Sequence, residues 1–175
     1  MDNKKNGKTN YQSGKGNGTE GLTKPCINQN FESWINSGAD DDMVKYAEVC
    51  GVYMAYYDLS ASKIRSFYGE IKRIQMLLMG GDLEKEKSAF YLLKPKVAYA
   101  LGRDKDNKGL QLFKEVFDNA SRYVKFENKN KTPYNNFCNL FEAILAYHKA
   151  NYYDKKDKDK KNKEKLAEYY KNINK

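Results

Sequence analysis

Histidine, cysteine, proline and tryptophan are all scarce: one His, three Cys, three Pro and one Trp in 175 residues. A single imidazole, His148, excludes zinc catalysis built on several histidines and routes any His-dependent chemistry through one side chain. Cys26, Cys50 and Cys138 are odd in number and far apart, with no Cys-x-x-Cys pair. Neither a zinc or redox motif nor a disulfide framework is expected from them. Cys50 and Cys138 fall within apolar patterns and read as small buried hydrophobes. No stretch approaches the roughly 18 consecutive apolar residues of a membrane span, and Met1 to Gly21 lacks the apolar run of a signal peptide. The expectation is a soluble, cytoplasmic protein with no membrane role.

Catalytic signatures are missing too. There is no GxxxxGK[ST] loop, no GxSxG elbow and no HExxH helix. The Arg–His motif of helical ribonucleases needs an arginine at 141–143, where Phe141, Glu142 and Ala143 stand. Glu142 lies six residues before His148 and faces another side of the helix. His148 falls among Phe141, Ile144 and Leu145, as a partly buried histidine does. Asp40-Asp41-Asp42 reads as a helix start and not as a metal cluster. No catalytic residue, metal or cofactor is expected, and an unrecognised ribonuclease working through His148 is the least favoured reading.

What is present is positive charge. Lys and Arg number 32 against 23 Asp and Glu, a formal +9 that suggests a polyanionic partner. Residues 1–21 carry +2, five of the twelve glycines and almost nothing apolar. They read as a disordered tail, and residues 1–30 as flexible. Residues 154–175 carry +4, mostly in the tract DKKDKDKKNKEK (154–165), which reads as a solvated linker or exposed helix. LAEYYKNI (166–173) allows a short terminal helix. The body, 22–153, therefore carries only +3, and any nucleic-acid site on it needs a local cationic patch.

That body is helical in pattern, with no sustained alternation of apolar and polar residues. Met43, Ala47, Cys50, Met54 and Tyr57 mark one helix face over 41–58, with Asp40 as N-cap. Ser60 caps a second helix ended by Gly80-Gly81, with Ile64, Phe67, Ile71, Ile74 and Leu78 as its buried stripe. A third covers 83–102 and is expected to kink or restart at Pro95. A fourth spans 108–124, and a fifth begins at Thr132 as N-cap with Pro133 in first position. Five helices with short connections predict a compact all-α bundle with basic tails.

Two cationic strips stand out. On the second helix, Arg65, Gly69, Lys72 and Arg73 fall opposite the apolar stripe, and Gly69 leaves room for a phosphate to approach. The other strip is LKPKVAYALGR (93–103), where Lys96, Tyr99, Ala100 and Arg103 share a face and Lys94 flanks it. Cations bracketing an aromatic suit single-stranded RNA. For Tyr99 the preferred reading is a core position bordered by cations.

Three segments in order, LSASKIRSFYGEIKRI (59–74), LLKPKVAYALGR (92–103) and FCNLFEAILAYHK (137–149), resemble the small subunit of type III-A CRISPR effector (Csm) complexes. The resemblance covers about 40–153. It implies a small non-enzymatic helical protein, present in several copies that form an inner filament beside the Csm backbone subunits and the Cas10-type large subunit. The filament lines the groove where target RNA pairs with CRISPR RNA, in antiviral defence. By the same resemblance Arg65, Lys72, Arg73, Lys94, Lys96 and Arg103 become the RNA-facing residues, and Lys63, where the chain departs from the family, is added to them as a further cation placed for RNA. Family members commonly carry Gln where Lys63 stands, closing a capping box with the Ser60 position; Lys63 departs from that pattern. The alternative is a helical protein–protein adaptor whose basic tails only confer solubility.

Overall fold

The structure, a computed structural model, describes residues 21–27, 30–80, 83–126, 130–152 and 160–174. All regular structure in them is helical: α1 (Phe31–Ser37), α2 (Asp41–Tyr56), α3 (Ala61–Gly80), α4 (Leu83–Arg103), α5 (Lys108–Ser121), α6 (Thr132–Asn151) and α7 (Lys160–Ile173). The all-α class holds, with seven helices among the described residues instead of five. Residues 1–20, 28–29, 154–159 and 175 of the expected tails lie outside the described residues, as does Gly81 of the expected helix stop.

Local chemistry sets most boundaries. The Asp40 carboxylate accepts the Met43 N–H at 2.7 Å and starts α2. That helix ends where Asp58 turns into the left-handed region (φ 58°). The Leu59 N–H then reaches the Met54 carbonyl at 3.0 Å and the Asp58 N–H reaches Ala55 at 3.1 Å, which satisfies two terminal carbonyls. Ser60 Oγ accepts the Lys63 N–H at 3.2 Å and starts α3. Asn107 does the same for α5, accepting from Leu110 at 2.8 Å.

Of the two outcomes expected at Pro95, a kink or a restart, the restart does not occur, since α4 runs through it; Leu93 and Val97, buried on either side, hold the helix on the core past the missing hydrogen bond. Two expectations need correction. Thr132 is not a cap but the first residue of α6, and its N–H is taken by Asn130 Oδ1 at 3.0 Å. α5 ends at Ser121, three residues short of Val124. One helix, α1, is new to the sequence reading, and within the charged tract residues 160–165 take the helical alternative as the first turns of α7.

α2 and α6 form the central pair. They approach closely at Gly51, where an added Cβ would lie 2.7 Å from the His148 backbone nitrogen and 2.9 Å from the Ile144 carbonyl oxygen. Around them a run of ring contacts, Phe90–Phe137–Phe117–Phe141–Phe113–Phe67, joins α4, α6, α5 and α3. The predicted α3 stripe is buried at Ile64, Ile71, Ile74 and Leu78 and half-buried at Phe67. On the opposite side of α2, Leu166 and Tyr170 of α7 enter the core together with Leu22. The Tyr170 hydroxyl donates to the Thr23 carbonyl at 2.6 Å and the Tyr57 hydroxyl to that of Leu22 at 3.2 Å.

Candidate nucleic-acid interface

The buried stripe of α3 fixes what the rest of the helix must do. With Ile64, Ile71, Ile74 and Leu78 inside, helical periodicity turns Arg65, Gly69, Arg73 and Met76 outward, and all four are exposed. A side chain at Gly69 would meet nothing within 4 Å. Arg65 is exposed, and among the described residues no carboxylate pairs with it.

The neighbouring helices flank this ridge with mixed charge. Toward α6, Tyr68 donates to Glu142 at 2.6 Å and Lys72 lies 3.6 Å from the same carboxylate. Burial first, and then that hydrogen bond, push the Tyr68 hydroxyl above its ordinary pKa, so it remains a donor. Toward α4, Glu70 accepts from Lys96 at 3.0 Å and from Arg73 at 3.4 Å. The Lys96 hydrogen bond is the main cause of a Glu70 pKa held below the usual carboxylate range. At the far end Lys63 pairs with Asp104 at 2.8 Å, and Arg103 lies over the Tyr99 ring at 5.9 Å.

Of the seven cations singled out, Lys63, Arg73, Lys96 and Arg103 therefore line the α3–α4 side, Arg65 stands on the ridge and Lys72 borders α6. Lys94 is separate: it lies on the α5 side of α4, 3.9 Å from Asp118. Tyr99 corrects the sequence reading, since it is 69 % exposed and not a core residue. Its neighbours Val97 and Leu93 occupy the buried face instead, and the spacing leaves the ring on the solvent side. The sequence reading also missed the acidic partners Glu70, Asp104 and Glu142. Only Glu70 had a local signal, three residues before Arg73 on one helix; the other two meet their lysines through tertiary packing.

His148 is fully buried, with its Nε2 2.7 Å from the Leu59 carbonyl oxygen. Burial lowers its pKa, which favours the neutral ring with Nε2–H as donor. Cys50 and Cys138 are buried, and burial pushes each thiol up to about 12, far from a reactive thiolate.

Fold and surface together define a small all-helical protein with a cationic helical face. A family model described as Csm2 Type III-A matches residues 38–156, a span that contains all three motif segments and the whole α3–α4 face. The chain belongs to this family, the small subunit of the type III-A Csm complex, which assembles with other Csm subunits. No curated protein and no solved structure matches it. No helix among the described residues is long and apolar enough to cross a membrane.

Proposed function

We propose that this chain is a non-catalytic, cytoplasmic inner-filament subunit that binds target RNA, paired with CRISPR RNA, through the ribose-phosphate backbone. The observation that carries the proposal is the outward α3 face: Arg65 beside an unobstructed Gly69, with Lys72, Arg73 and Lys96 on its flanks. Exposed ion pairs of this kind are worth about 0–1 kcal/mol. A phosphate can therefore take over Arg73, Lys72 or Lys96 at little cost, leaving the carboxylates to water. None of these contacts reads a base edge, so the binding is independent of sequence.

Copies of the chain, the Csm backbone subunits and the Cas10-type large subunit are the protein partners in this reading. Exposed Met76, Met79, Tyr91 and Leu92 on α3 and α4 favour such protein contacts beside the RNA face. Replacing Arg65, Lys72 and Arg73 by Ala is expected to weaken RNA binding by the assembled complex. It also reduces the log–log salt dependence by roughly 0.7 per lost phosphate contact. Unchanged affinity and slope would overturn the assignment of this face.

A further inference from the structure

Backbone contacts do not account for Tyr99. It lies one turn before Arg103 on α4 and is 69 % exposed. Among the described residues no other ring packs against it, and Arg103 alone caps it, at 5.9 Å. The ring forms one wall of a depression of about 440 Å³ lined by Lys63, Tyr99, Ala100, Arg103 and Asp104. That size lies within the roughly 300–1,000 Å³ of small-ligand sites.

The chemistry of the lining separates two occupants. A phosphate would gain from Arg103 and Lys63 but would be repelled by the Asp104 carboxylate, which Lys63 holds in place at 2.8 Å. A nucleobase uses all of it: a π face for the Tyr99 ring, N–H groups on its edge for Asp104, and a flanking phosphate for Arg103. We propose that this depression takes one unpaired RNA base, stacked on Tyr99. The inference rests on the RNA-binding reading above and adds to it a contact that requires a base.

The test compares two single-stranded probes of equal length and charge, a mixed-sequence RNA and an abasic ribose-phosphate strand. Both are titrated against the full-length protein and against the assembled complex. The base-bearing strand is expected to bind about ten-fold more tightly. Tyr99→Ala abolishes that preference and Tyr99→Phe retains it. The triple Ala variant at Arg65, Lys72 and Arg73 weakens both strands alike and leaves their ratio unchanged. Tyr99→Ala must match the unsubstituted chain in thermal midpoint, as its exposure predicts. Equal salt-dependent binding of both strands, or a preference that survives Tyr99→Ala, overturns the base site and leaves the backbone reading intact. Binding of neither strand, free or assembled, overturns both.

Discussion

The single histidine gives this chain a pH dependence that one residue explains. His148 is fully buried, donates from Nε2 to Leu59 and stacks on Tyr152 at 5.1 Å. Burial depresses its pKa below the ordinary 6.5. The unfolded chain therefore binds a proton that the folded chain resists, and stability rises with pH across that range. The contribution is complete above about pH 6.5 and is lost as pH falls from there toward the folded pKa. No other side chain has an unperturbed pKa between 5 and 8 except histidine. Urea midpoints are thus expected to fall between pH 7 and pH 5.5, by up to about 1 kcal/mol of stability. His148→Gln, which keeps an N–H donor but cannot titrate, is expected to remove that slope. A slope that persisted in the variant would place the titration elsewhere.

At the scale of elements, the α2–α6 contact is the one most sensitive to a single atom. Gly51 lies within an apolar helix where alanine is intrinsically better by about 1 kcal/mol. Yet an added Cβ would stand 2.7 Å from backbone and side-chain atoms of α6, and backbone cannot step aside as a flexible side chain can. Overpacking of this kind costs about 1–3 kcal/mol, so it outweighs the propensity gain. Gly51→Ala is expected to lower the urea midpoint, whereas Gly69→Ala, facing open space, is expected to raise it slightly. This contrast also marks what was legible in the sequence. Periodicity located α2 to α6 and the α3 stripe, because each of those helices buries one continuous face. Asp40 and Ser60 were legible as caps because a cap acts within three residues of itself. Periodicity did not reveal which glycine meets a neighbour, that Pro95 is carried through by Leu93 and Val97, or that Tyr99 faces solvent. Those outcomes depend on helices distant in sequence. The cations of the candidate face were legible as a strip, but their carboxylate partners Asp104 and Glu142 were not, for the same reason.

For the whole molecule, the distribution of charge and the distribution of packing do not coincide. Residues 154–175 carry +4 of the +9, which invites treating them as a detachable solubilising tail. Yet α7 within that stretch sets Leu166 and Tyr170 into the same core as α2, at 4 % and 2 % exposure. Tyr170 also contacts the Tyr53 ring at 6.2 Å and bonds the Thr23 carbonyl, drawing the segment before α1 onto the bundle. Deleting 154–175 would therefore remove charge and core together, and a loss of RNA affinity in that truncation would not favour an adaptor over an RNA-binding subunit. Substitution separates the two effects. Tyr170→Ala leaves net charge unchanged and is expected to cost about 3 kcal/mol, the scale for losing a buried aromatic ring. Tyr170→Phe keeps the ring and loses only the hydroxyl bond, about 1 kcal/mol. Urea unfolding of both variants checks this: if Tyr170→Ala unfolds at the same midpoint as the unsubstituted chain, α7 is not anchored in the core and the C-terminal charge can be removed without consequence for the fold.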